Sequence, residues 1–331
     1  MRRRVLGVVA VAAVALFALL PLLSTDQARS AGLPQILDRS QLRELTTISM
    51  FVVLTSAWNI IGGLAGYPSF GNVVFFGLGA YATAVLTDPE HGHLPLVVGL
   101  LASPLVPAVA AVVIGFPLLR LRGHYFSIAT LGISIAFGEV INNLDVLGGA
   151  TGLFPPIIRN DLLFYYLMFF AAALTVAVTW WITRSRLGYG LVAIRENEEA
   201  AAVLGVDTTR YKIIAFVIAA VLTGLAGGIF AQWNSFINRE NVFPVDYSVQ
   251  MILMAVIGGA GSITGPVVGA VGLEALIQLL AGGSGVYTQI LLGALLAVTV
   301  IFLPRGVIDF VVGRSRLTLA HFRRSLRETS V

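Results

Sequence analysis

The chain has 331 residues, 57% of them hydrophobic and only 11% charged, whereas an ordinary soluble domain carries about a quarter charged residues. A mean hydropathy of +0.89 makes hydrocarbon its main solvent and excludes a soluble globular domain. The net charge of +4 comes from arginines beside apolar runs, without an aromatic-studded polar domain, which argues against nucleic acid as a partner; the absence of cysteine excludes disulfides, thiolate ligands and thiol nucleophiles.

In chain order, the apolar runs and their polar breaks predict spans at 5–23, 44–62, 72–88, 95–118, 125–142, 162–183, 211–233, 248–258, 265–281 and 287–303. A bilayer core needs roughly 20 apolar residues at helical rise, and a spanning chain must satisfy its backbone N–H and C=O groups internally. No segment shows the roughly ten-residue alternation of a membrane barrel strand. The expected fold is an all-α polytopic membrane protein of about ten transmembrane helices, and the 35 glycines predict broken or re-entrant glycine-rich segments within it. Residues 1–331 are expected to form a single transmembrane domain. The first span follows Arg2, Arg3 and Arg4; its length exceeds a signal core and Asp26-Gln27-Ala28 is a poor cleavage site, so it reads as an uncleaved helix. Span 248–258 is too short to cross alone, and is expected to join the glycine-rich segment after it or to be a half-helix.

Polar residues inside these spans are costly unless paired or wet, which singles out Asn59, Glu139, Asn142, Asn143 and Glu274. Glu139, Asn142 and Asn143 lie at i, i+3 and i+4 and share one helical face, open to two readings: a hydrogen-bonded structural cluster or a solute contact. Ser69, Gly71 and Asn72 mark a glycine-flanked break whose orphan N–H groups suit a solute carboxylate, although helix packing and capping would use the same residues. Ser262, in Gly258-Gly259-Ala260-Gly261-Ser262, marks a similar break. His91-Gly92-His93, beside Asp88 and Glu90, reads as a solvated loop, so no metal site is expected.

Alternating the spans from a cytoplasmic start places 16 of the 21 basic residues inside, as the positive-inside rule requires. Both termini, the basic tail 304–331 and the segment 184–212 are then cytoplasmic, and Gly148–Asn160 and Ser235–Asp246 face outward. Segment 184–212 interleaves Leu191, Ile194, Ala201 and Leu204 with Arg195, Glu196, Glu198 and Glu199. It is expected to form a short amphipathic helix, with Gly188 and Gly190 breaking the chain before it, Gly205 ending it, and Asp207, Thr208 or Thr209 capping the next span. An anionic leaflet would repel the glutamates, so a protein partner fits that helix better than lipid.

AIRENEEAAAVLGVDTTRYKIIAFVIAAVLTGLAG resembles the cytoplasmic coupling loop and following helix of the M-type permease of branched-chain amino acid ABC importers. GYPSFGNVVFFGLGAYATAVL (Gly66–Leu86), PLLRLRGHYFSIATLGISIAFGEVINN (Pro117–Asn143), LGGATGL (Leu147–Leu153) and IGGAGSITGPVVGA (Ile257–Ala270) resemble the same family in the same order. The resemblance implies a permease of the bacterial cytoplasmic (inner) membrane, paired with a homologous second permease, two ABC ATPase subunits and a periplasmic or lipid-tethered solute-binding protein. It implies amino acids as solute, with urea and short-chain amides as the alternative, and a coupling role for Leu191, Ile194, Glu196, Glu198, Leu204 and Gly205. An ATPase groove burying Leu191, Ile194 and Leu204 would gain roughly 1.5–3 kcal/mol for each, against about 0–1 kcal/mol for an exposed ion pair, so Ile194→Asp should block coupling in a folded chain and Glu198→Ala should be mild.

No phosphate loop of the form GxxxxGK[ST] occurs, so ATP hydrolysis would fall to another chain, and no cofactor is implied. No GxSxG, HExxH or paired catalytic aspartates support an intramembrane enzyme. A secondary transporter is the remaining alternative, but it has no need of an acidic amphipathic docking segment.

Overall fold

The computed structural model describes Phe17, residues 38–89 and residues 92–280. The predicted spans 5–23, apart from Phe17, and 287–303 lie outside the described residues, as do the tail 304–331 and His91. Helix α1, Arg39–Asn59, starts at a capping box in which Asp38 and Gln41 bond each other's backbone, and it continues as a π-helical turn, Ile60–Leu64. Then come α2 (Asn72–Thr87), α3 (Leu96–Leu118), α4 (His124–Asn142), α5 (Asp161–Thr183), α6 (Arg186–Glu196), α7 (Glu198–Val203), α8 (Thr208–Asn234), α9 (Arg239–Val242), α10 (Val245–Gly258) and α11 (Thr264–Leu280).

Among the described residues, six stretches are long and apolar enough to cross a membrane: Arg39–Leu64, Leu96–Leu118, His124–Asn142, Asp161–Thr183, Thr208–Asn234 and Arg239–Gly258. The all-helical membrane class stands, while the described residues do not reach about ten crossings. Two expectations change. Span 72–88 becomes the 16-residue α2, about 24 Å long and short of a hydrocarbon core about 30 Å thick. Span 248–258 lengthens, because Pro244 caps α10 four residues before the apolar run begins and α9 precedes it, giving 20 residues from Arg239 to Gly258.

α8 is the hub, packed against α2, α3, α1 and α5. α2 and α8 meet backbone to backbone: a Cβ on Gly79 would overlap the Gly224 carbonyl, and one on Gly227 would overlap the Phe76 carbonyl. By contrast, α3 turns Val97, Leu101, Leu105, Val109, Val113 and Phe116 outward, an apolar face that hydrocarbon accepts and water does not.

The ends of α8 define the two ends of the bundle, since Lys212 and Gln232 are 20 residues and about 30 Å apart along it. At the Gln232 end, the two connections predicted to face outward join: Leu153 and Ile237 exchange backbone hydrogen bonds at 2.9 and 3.0 Å, and Gln232 Nε2 donates to the Pro156 carbonyl at 2.6 Å. At the Lys212 end, α6 and α7 fold against the bundle.

Candidate functional site: the 184–212 segment and the helix breaks

Segment 184–212 is not one amphipathic helix. Ser185 caps α6, and Gly188 and Gly190 lie inside it instead of breaking the chain, because Ile182 and Tyr211 press where their side chains would be. The break falls at Asn197, extended at φ −163° and capping α7 through Ala200 N–H. Gly205, at φ +86°, follows the end of α7, and Asp207 caps α8 by accepting from Arg210 N–H, as expected.

The apolar side of this segment is divided between two surfaces. Leu191 and Ile194 are buried within the chain, in a cluster with Ile61, Leu64, Ile182 and Phe216, so they are not offered to a partner. That corrects the expectation for both residues: the bundle itself covers the face an ATPase groove was expected to bury. Val203 and Leu204, in contrast, are 88% and 83% exposed. With Gly205, which has open space where a side chain would be, they form an uncovered apolar tip.

Glu198 is also not a surface charge. Lys212 Nζ donates to Glu198 Oε1 at 2.7 Å, to Tyr67 Oη at 3.0 Å and to the Leu119 carbonyl at 2.9 Å, while the Tyr67 hydroxyl donates to Glu198 Oε2. Arg122 closes the outer side, with Nε 3.8 Å from Glu198 and an η nitrogen 2.9 Å from Glu199. Burial pushes the Glu198 carboxyl up, but hydrogen bonds from Lys212 and Tyr67 and the charges of Lys212 and Arg122 outweigh it and hold the group below its ordinary value. Burial, followed by the hydrogen bond to Glu198 and its charge, raises the Tyr67 phenol. Glu196 remains outside, paired with Arg195 at 2.9 Å. Sequence reasoning missed Lys212, Tyr67 and Arg122; the available signal was that Lys212 is the single lysine among 21 basic residues.

At the break before α2, Trp58 Nε1 donates to the Ser69 carbonyl at 2.7 Å, Ser248 Oγ to the Phe70 carbonyl at 2.7 Å, and Phe70 N–H to Thr130 Oγ1 at 3.1 Å. Ser69 is fully buried and its hydroxyl accepts from Gly71 N–H. Asn72 is fully buried too, and neither atom of its amide has a partner among the described residues. Unlike Ser69, it carries an unanswered polar group at the mouth of a helix.

Ser262 is a turn residue that accepts from Gly265 N–H and donates to the Gly259 carbonyl. Glu139 is half-exposed and pairs with Arg239 at 2.7 Å, and Asn143 Nδ2 caps the Glu139 carbonyl, so the face shared with Asn142 is knit locally. Buried Glu274 accepts from Gln278 Nε2 at 3.2 Å. A cavity of about 780 Å³ lies at the Gln232 end, lined by Asp88, Asp145 and the glycine-rich stretch from Gly148 to Phe154; none of Ser69, Asn72, Glu139 or Ser262 lines it. Among the described residues no His, Asp or Glu cluster suits a metal.

A bundle with apolar outer faces, a short central helix and a polar segment folded against one end defines a multi-pass helical membrane protein. The chain belongs to the family described as branched-chain amino acid transport system / permease component, whose model matches residues 41–300. It is 29% identical to the high-affinity branched-chain amino acid transport system permease protein LivM of Salmonella typhimurium and 28% identical to that of Escherichia coli, in each case over 83% of this chain and 71% of the relative. LivH of Salmonella typhimurium, from the same kind of system, is 27% identical over 56% of this chain and 59% of its own length. No solved structure matches the chain.

Proposed function

We propose that this chain is the M-type permease subunit of an ATP-driven importer in the bacterial cytoplasmic membrane, forming part of the path for branched-chain or other neutral amino acids. Its partners are a homologous second permease, two ABC ATPase subunits and a periplasmic or lipid-tethered binding protein. Similarity to both LivM and LivH supports a pair of related permeases, since both kinds of relative carry permease names. One continuous permease domain, with both termini and the segment 184–212 cytoplasmic, fits the charge distribution.

The observation that carries the reading is the division of that segment. Its inner side is locked to the bundle through Glu198, Lys212 and Tyr67, and its tip presents Val203 and Leu204 to whatever lies beyond. A bundle-anchored lever with an apolar end suits docking to an ATPase; a carrier driven by an ion gradient has no use for one. Leu204 and Gly205 thus keep the docking role, whereas Leu191, Ile194 and Glu198 act from within by holding the lever.

Along the path, Asn72 is the residue proposed to meet solute, because its amide is unpartnered beside the orphan N–H groups of α2. Ser69 shapes that break and Ser262 the one before α11, while Glu139, Asn142 and Asn143 line the outward end. The test is uptake by proteoliposomes holding the chain with its second permease, ATPases and binding protein. Leucine, isoleucine or valine should accumulate only with ATP on the ATPase side. Uptake by the permeases alone, driven by a proton or sodium gradient, would overturn the reading.

A further inference from the structure

Two interruptions far apart in sequence meet in space. One is the π turn Ile60–Leu64 that ends α1; the other is the gap between α10, which stops at Gly258, and α11, which starts at Thr264. Asn59 joins them, accepting from Gly261 N–H at 2.7 Å through Oδ1 and donating to the Ser262 carbonyl at 2.9 Å through Nδ2. A widened turn and a chain break leave carbonyls without helical partners, and a cation is welcome at such a helix end.

Arg195 supplies that cation from the cytoplasmic segment. One η nitrogen donates to the Gly63 carbonyl at 3.1 Å, and a Cβ built on Gly261 would lie 2.7 Å from that nitrogen. Its aliphatic stem crosses Gly66, where a Cβ would lie 2.7 Å from Arg195 Cγ. The other edge of the guanidinium holds Glu196 Oε1 at 2.9 and 3.3 Å. A planar fork engaged on two edges fixes direction, which an ammonium on a flexible stem cannot do. Leu191 and Ile194 of α6 also meet the bundle, through apolar contacts that carry no such direction.

We propose that Arg195 is a positioning residue that clamps the broken end of α1 to the α10–α11 break and carries displacement of the cytoplasmic segment into the membrane-embedded bundle. This rests on the permease reading. Arg195→Gln and Arg195→Lys, assembled with the partner subunits, should still recruit the ATPases through the exposed tip, but solute moved per ATP should fall at least ten-fold. Asn59→Ala, which opens the same joint from the membrane side, should show the same loss of ratio.

A second readout is independent of transport. In the isolated chain, hydrogen exchange at Gly261 N–H should speed up at least ten-fold in Arg195→Gln. Normal solute-per-ATP ratios in the Arg195 variants, beside a wild type that transports, would overturn the clamp and leave the permease reading intact. Unchanged exchange at Gly261 would overturn it too, whatever the transport result. A wild-type complex without ATP-driven uptake would instead remove the permease reading and the inference with it.

Discussion

Lys212 and Glu198 form an ion pair at 2.7 Å with the two partners unequally buried: 4% of the lysine side chain is exposed and 16% of the glutamate's. All three ammonium N–H groups are engaged, by Glu198, Tyr67 and the Leu119 carbonyl. Removing the glutamate strands a charge inside the protein; removing the lysine leaves a carboxylate that still has Tyr67 and Arg122. Glu198→Ala should therefore cost about 3 kcal/mol and Lys212→Met about 1–2 kcal/mol, with the double variant costing less than their sum. Thermal unfolding in detergent measures this, and it reverses the expectation that Glu198→Ala is mild.

The same pair sets an acid limit. Because the folded chain holds the Glu198 carboxyl below its ordinary 4.5, the stabilisation is fully present above that value and is lost as pH falls through the depressed folded value. Wild type should be more stable than Glu198→Gln at neutral pH, and the gap between their melting temperatures should close as pH drops below the ordinary carboxylate value of 4.5. A gap that stays constant into acid would mean that the carboxylate charge contributes nothing.

Asn72 carries an amide with neither donor nor acceptor satisfied, a defect that typically costs about 1–3 kcal/mol. Asn72→Leu should leave the melting temperature unchanged or raise it, while lowering solute uptake in the assembled transporter. Marked destabilisation would mean that the amide has a structural partner.

Substitution of the two apolar surfaces of segment 184–212 should separate folding from docking. Ile194→Asp places a charge among Leu191, Ile61 and Phe216 and should destabilise the chain by about 3 kcal/mol or more. Leu204→Asp or Val203→Asp, on the exposed tip, should leave melting unchanged and abolish co-purification with the ATPases. Retention of the ATPases by both tip variants would place docking elsewhere.

Sidedness can be read from single cysteines introduced into this cysteine-free chain. In intact cells an impermeant thiol reagent should label a cysteine at Glu240 and leave one at Leu204 unlabelled until the membrane is opened. The reverse pattern would invert the topology.

Continuous apolar runs made most helices legible: α3, α4 and α5 begin one residue away from the predicted spans 95–118, 125–142 and 162–183. Pro244 could have extended the span at 248–258, because proline before a helix is a start signal as well as a breaker. Gly188 and Gly190 were misleading for another reason. Their role depends on Tyr211 and Ile182 lying against them, and no local pattern contains that. The candidate site was legible only as its parts. Glu198 drew notice as an acidic surface residue, but its partner lies 14 positions on and Tyr67 lies 131 away. Asn59 reads in the sequence as a polar group in a span, whereas the Gly261 amide that explains it is 202 residues distant.

The bridge between Leu153 and Ile237 gives the connections 148–160 and 235–246 a common register, and both residues are buried. Each residue of the bridge donates to and accepts from the other, so a one-residue insertion or deletion before Leu153 would remove both hydrogen bonds unless the other connection shifted as well. Length changes in these two connections are thus coupled, and graft sites for tags or reporter domains belong on the far side of the bridge, between Phe154 and Asn160.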